Sequence, residues 1–170
     1  RAVLAISGDI PRAQMGTARA LLALRRATEA KDSLAAFRAL VGTSATLEYN
    51  SAVAEMLLEH RDEAQARLHD SLKLNPTYAP SLLLLATYQY EVGQLEQAAS
   101  LVERFSKQFP RHLPAIKLSA ANHLRTGDNT SAAEVLLQGL IVAPEDATVL
   151  AMLGNARFRA AIDIFPEEPV

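Results

Sequence analysis

Three prolines, Pro76, Pro110 and Pro144, stand 34 residues apart, and Gly42 occupies the same phase one step earlier. A fixed period of this length marks an array in which one supersecondary unit recurs and stacks on its neighbours. With Pro11 as the first position of a unit, the eighth positions are Ala18, Ala52, Ala86, Ala120 and Gly154. The twelfth are Leu22, Met56, Tyr90, Leu124 and Phe158, the twentieth Ala30, Ala64, Ala98 and Ala132, and the twenty-fourth Leu34, Leu68, Val102 and Leu136. Small side chains recur where small ones stood, and apolar ones where apolar ones stood.

Composition narrows the chemistry. The 170 residues are 49% hydrophobic, 21% charged and 5% aromatic, with no tryptophan. Such a chain fits one domain or one run of repeats, and it favours helix over a β-sandwich. A net charge of −2 offers no basic surface to a phosphate backbone, so nucleic acid is excluded as a partner. Without cysteine there is no disulfide framework, thiolate zinc site or thiol nucleophile. Apolar runs such as Leu82 to Ala86 are far short of the roughly 20 residues of a bilayer span. No leader pattern stands at the start, and the first residue is Arg1 rather than Met. The chain is therefore expected to be processed or cut from something longer. Its compartment is open: bacterial cytoplasm, or periplasm and envelope if a leader was removed.

Each unit holds two amphipathic stretches long enough for a helix. In the third these are Ala79–Val92 and Leu95–Gln108, separated by Gly93-Gln94. Gly93 and Gly127 supply the positive φ that ends one helix and turns the chain back. Ser131-Ala132-Ala133-Glu134 reads as a capping box. The prolines sit where second helices end. Small residues at the eighth and twentieth positions let two axes approach, and the larger ones at the twelfth and twenty-fourth fill the space around them.

This pattern resembles the tetratricopeptide repeat family, a 34-residue helix–turn–helix with small residues at positions 8, 20 and 27 and proline at 32. The resemblance runs from Pro11 to about Ala161. It departs at position 4, where the usual aromatic is replaced by Gln14, Glu48, Leu82, Ile116 and Leu150. The usual tyrosine at position 11 is absent, and Phe37 and Phe105 occupy position 27. The resemblance implies an all-α fold, a right-handed α-solenoid of stacked antiparallel helix pairs. Repeats are expected at 11–44, 45–78, 79–112 and 113–146. The end of a preceding repeat is expected at 1–10, a final helix at 147–162 and an extended tail at 163–170.

Catalytic patterns are missing. His60, His69, His112 and His123 form no H-E-x-x-H motif, and no phosphate-cradling loop or nucleophile elbow occurs. His60 and His112 lie near helix ends, where a cation suits a C-terminus. Glu59, Asp62 and Glu63 read as a solvated turn, and Leu57–Leu58 and Leu82–Leu85 as core. Asn129-Thr130-Ser131 matches a glycosylation triplet and equally suits a helix-entry turn. No metal, cofactor or enzyme activity is expected.

Function is therefore expected from a concave groove. By the family's groove positions, the first helices contribute Arg12, Met15, Arg19 and Leu22, then Thr46, Tyr49, Val53 and Met56. Leu83, Thr87 and Tyr90 follow, then Lys117, Ala121 and Arg125, then Asn155, Phe158 and Arg159. At position 12, Leu22, Met56, Leu124 and Phe158 also read as packing, whereas the Tyr90 hydroxyl wants water or a partner. The candidate peptide-binding set is Tyr49, Leu83, Thr87, Tyr90, Lys117, Arg125, Arg19 and Met15, since Tyr and Arg are over-represented among hot spots. A carboxylate clamp known in the family is matched only at Asn50; Met15, Arg19, Pro80 and Leu84 do not supply the rest. The expected function is a non-catalytic interaction scaffold for a peptide or protein segment. The alternatives are self-association through exposed end helices, or a substrate-positioning region of a larger enzyme or envelope assembly. In alanine and arginine richness the chain is also similar to bacterial envelope tetratricopeptide proteins.

Overall fold

A computed structural model describes residues 2–164, with side chains described for residues 10–162. Among the described residues every regular element is a helix: α1 (Ala2–Ala23), α2 (Ala27–Val41), α3 (Ala45–Leu57), α4 (Arg61–Leu74), α5 (Ala79–Glu91), α6 (Leu95–Ser106), α7 (Leu113–Thr126), α8 (Asn129–Val142) and α9 (Ala147–Ile164). The chain divides into two compact units, Arg1–Ser81 and Leu82–Val170, with α5 straddling the division.

One turn is used four times. Arg25, Glu59, Gly93 and Gly127 have φ of 58°, 64°, 82° and 81°. Each ends the first helix of a hairpin, and they recur at the period read from the sequence. The amide after each closes a six-residue loop onto the helix it leaves: Arg26 donates to Leu21 O (2.9 Å), His60 to Glu55 O (2.9 Å), Gln94 to Gln89 O (2.8 Å) and Asp128 to His123 O (2.9 Å). This bond satisfies a carbonyl that the helix end would otherwise orphan. Gly93 and Gly127 suit the geometry. Arg25 and Glu59 adopt it without glycine, against a cost of about 1–2 kcal/mol for a side chain in the left-handed region.

In the first unit, Ala18, Leu22, Ala30, Leu34, Leu47 and Ala54 form a core cluster, with Met15 and Phe37 packed against it. Two carboxylates are buried beside it. Glu48 is 3% exposed. It accepts hydrogen bonds from Arg38 on α2 (2.7 Å), Thr43 (2.7 Å) and Arg67 on α4 (3.1 Å). Glu55 pairs with Lys31 on α2 (2.8 Å) and with His60 (2.9 Å). Burial pushes the Glu55 carboxyl upward, but Lys31 and His60 together outweigh it and hold the group below its ordinary value. Ser71 donates to Ala45 O (2.9 Å), so the 2.6 Å contact with Ser81 has Ser81 as donor.

In the second unit, Ala120, Ala132, Leu136, Val149, Leu153 and Ala156 make the core cluster. Gly139 is required by close approach, because a Cβ there would lie 3.2 Å from both Ile116 and Val149. Phe105, bulky where the family pattern is small, is 5% exposed and sits 5.2 Å from Phe109 and 5.0 Å from His112.

Several local expectations change. Helix α8 begins at Asn129, capped by Asp128, which accepts from Ser131 N (3.0 Å); Ser131 is therefore capped rather than capping. Asn129 is buried at the helix start, which fits the helix-entry reading rather than an exposed glycan acceptor. His60 and His112 stand at the N-termini of α4 and α7, not at C-termini. His112 Nδ1 accepts from Ala115 N (3.3 Å), so a macrodipole preference for a cation does not explain it. Helix α1 runs through Pro11, where the sequence suggests a unit boundary; proline there removes one backbone bond without ending the helix. The expected tail lies, from residue 165 on, outside the described residues.

Two outcomes follow. Gly127→Ala should lower stability by about 1 kcal/mol and Glu59→Gly should raise it by up to about 1 kcal/mol, both read by urea unfolding, because the same φ penalises any Cβ. Because its carboxyl is held below the ordinary 4.5, Glu55 stabilises the fold fully above that pH, and this contribution is lost as the pH falls through the lower folded value. Glu55→Gln should therefore be the less stable protein at pH 7, with the gap to the parent closing below about pH 4.

Candidate functional site

The candidate residues lie on first helices. In the first unit, Met15 is half-buried against the core cluster, and Arg19 is exposed one turn further along α1. Tyr49 on α3 meets the Tyr78 ring edge-on at 5.9 Å. Burial first, then Tyr78, raises the Tyr49 phenol, and the nearby Arg19 charge opposes them. The Tyr49 hydroxyl therefore stays neutral and presents an O–H beside a cation.

In the second unit, Leu83, Thr87 and Tyr90 follow one another along α5, all half-buried. The Thr87 hydroxyl donates to Leu83 O (3.0 Å). Arg125 on α7 lies over the Tyr90 ring, 4.7 Å from its centroid, and donates to the Tyr90 carbonyl. This cation–π stack holds a guanidinium and an aromatic ring together at the surface. Lys117 is paired with Asp146 at 2.8 Å, and the lysine, with the Val149 amide, lowers the Asp146 carboxyl. Lys117 thus braces α7 against the start of α9. Among the position-12 residues, Leu22 is 8% exposed, as packing requires, whereas Phe158 is 67% exposed.

Each unit also carries a cavity over its second helices. The first, about 350 Å³, is lined by Lys31, Leu34, Arg38, Ser51, Glu55 and Arg67 among others. The second, about 550 Å³, includes Ala99, Val102, Ser106, Ser119, His123 and Val135. These six stand two periods after the first six, in the same order, so the two cavities are one structural position seen twice. In the first unit charged side chains line it. In the second, Ser106, Ile116 and Val135 replace Arg38, Glu48 and Arg67, and the space opens. Below it Asn122, 4% exposed, donates to Leu95 O (3.1 Å), while its Oδ1 has no hydrogen-bond partner.

The charged clusters escape a motif search because their members stand on different helices, far apart in sequence. Their separations follow no single spacing: Tyr90 and Arg125 are 35 positions apart, Lys117 and Asp146 are 29. Among the described residues no group of three side chains is placed to hold a metal ion, and no helix is long and apolar enough to cross a membrane.

Comparison with known proteins is consistent with this geometry. The sequence model of the tetratricopeptide repeat matches residues 56–122. No curated protein sequence shows significant similarity to the chain. Among solved structures, pilF of Pseudomonas aeruginosa superposes with a TM-score of 0.79 at 15% identity, covering 93% of this chain and 72% of that one. MamA from Desulfovibrio magneticus gives 0.79 at 16% identity, over 90% of this chain and 86% of that one. YrrB, described as having an unusual peptide-binding site, gives 0.69 at 19% identity, over 83% and 73%. At such identities the likeness speaks to fold. Residues 56–122 thus match the tetratricopeptide repeat, and the chain shares the all-α helical-hairpin fold of these structures.

Proposed function

We propose that the first-helix surfaces bind a peptide segment carrying an apolar anchor and a carboxylate. At the coarser level the fold is that of a protein-interaction scaffold. The observation that supports the finer reading is the Tyr90–Arg125 stack. Its guanidinium uses one N–H on the Tyr90 carbonyl and has five in all, so further donors remain for an acidic group. The ring beneath supplies an amphipathic contact of the kind enriched in hot spots. Leu83, two turns earlier on α5, gives an apolar side chain on the same helix, with Thr87 between them. In the first unit Tyr49, Arg19 and Met15 repeat the combination of ring, cation and apolar surface. Lys117 contributes less to binding than its charge suggests, because Asp146 already neutralises it. A described peptide-binding site in YrrB, a protein of the same fold, is in keeping with this reading.

Selection from a random peptide display library on the immobilised chain should enrich sequences with a large apolar residue near Asp or Glu. Calorimetry with a selected peptide should show Tyr90→Ala weakening binding by about 2 kcal/mol with helix content unchanged. Arg125→Ala should reduce the salt dependence of binding as well as its strength. Selected peptides that bind the Tyr90→Ala and Tyr49→Ala variants as tightly as the parent would refute the assignment.

A further inference from the structure

The fourfold turn stops at the fifth repetition. After Arg25, Glu59, Gly93 and Gly127, the next residue in the series is Ala161, which is helical, and α9 continues to Ile164. The chain does not fold back at that register, so among the described residues nothing lies across the outer side of α9. The effect is visible at the eighth position. Ala18, Ala52, Ala86 and Ala120 are all 0% exposed. Gly154 holds the same phase and is exposed, with no atom within 4 Å of where its Cβ would stand.

That uncovered side is apolar along its length. Leu150, Ala151, Gly154, Phe158, Ala161 and Ile162 share one face, opposite the buried Val149, Leu153 and Ala156. Leu150, Phe158 and Ile162 are 47%, 67% and 48% exposed, a large fraction for side chains of their size. Arg157 borders this face beside Leu150 and Ala161, and Arg159 lies beyond its other edge, so the charge sits at the rim and the centre is apolar.

We propose that this face pairs with the same face of a second copy of the chain, two α9 helices running antiparallel across a two-fold axis. The order of side chains selects this occupant. At spacings of four the face reads Leu150, Gly154, Phe158, Ile162, that is, aliphatic, socket, ring, aliphatic. Turned end for end and set against itself, it places each Phe158 ring over the partner's Gly154 and each Leu150 against the partner's Ile162. Large meets small in every ring layer and aliphatic meets aliphatic at both ends, which is the self-complementarity an isologous contact requires. A seam one helix wide falls at the small end of specific interfaces, so the expected dissociation constant is on the order of 10 μM. The pairing stands apart from the peptide reading and does not require it.

Sedimentation equilibrium on the 170-residue chain, from about 1 to 500 μM, tests it. The weight-average mass should climb from the 18.4 kDa monomer towards twice that value. Gly154→Phe should leave the protein monomeric throughout, because two rings then meet in each layer. Adding Phe158→Ala to that variant should restore association, since every layer again holds one ring and one small residue. Both positions are exposed, and unchanged circular dichroism will show that the fold is intact. A parent chain that stays monomeric at 500 μM overturns the proposal. So does association that Gly154→Phe leaves untouched, or a double variant no better than the single one.

Discussion

Two helices can lie close along their length only where neither carries bulk at the crossing. In this chain that condition is met by alanine in both helices of each hairpin: Ala18 with Ala30, Ala52 with Ala64, Ala86 with Ala98 and Ala120 with Ala132 occupy the paired phases, all essentially without solvent exposure. Everything larger is arranged around that line. Leu34, Leu68, Val102 and Leu136 seal it from one side. The turn is short because the left-handed residue reverses the chain within a few positions and lets the next amide satisfy a carbonyl of the helix it leaves. Spacing by small residues and reversal by a fixed turn together give a hairpin that stacks on copies of itself, and the period is the length of chain this takes.

The same hairpin is stabilised differently in its two units. In the first, a position that most members of the family give to an aromatic carries Glu48. Its buried charge is answered by two arginines and a threonine. Burying an ion is costly, and each partner is needed to offset the desolvation. In the second unit Ile116 takes the equivalent position and packs beside Gly139, where no larger side chain would fit. One unit relies on directed polar contacts and the other on shape.

The periodic columns made helices, hairpins and fold family legible, since they report packing between elements close in sequence. Gly93 and Gly127 announced their turns for the same reason. Arg25 and Glu59 did not, because a left-handed residue with a side chain leaves no mark in composition; only their phase gives them away. Tyr90 and Arg125 were legible as surface groups one by one, but their stacking depends on how α5 and α7 are set side by side. The burial of Glu48 was hidden because it looks like a departure from an aromatic pattern. Its partners stand 10 residues before and 19 after it, on two other helices. Phe158 read as packing because position 12 is covered elsewhere, and local sequence does not reveal that α9 lacks a cover.

The Glu48 cluster also has a mechanical meaning. An apolar contact loses little when two helices slide by a fraction of a turn, since one aliphatic neighbour replaces another. A carboxylate gripped from α2 and α4 at 2.7 and 3.1 Å has no such substitute, because any slippage strands a charge away from water. Within the first unit the three helices are thereby keyed in register and resist shear. In the second unit the polar links are placed elsewhere, Lys117 with Asp146 at the start of α9 and Asn122 with Leu95 O, so α7 is tied to its neighbours at its two ends rather than through a buried carboxylate.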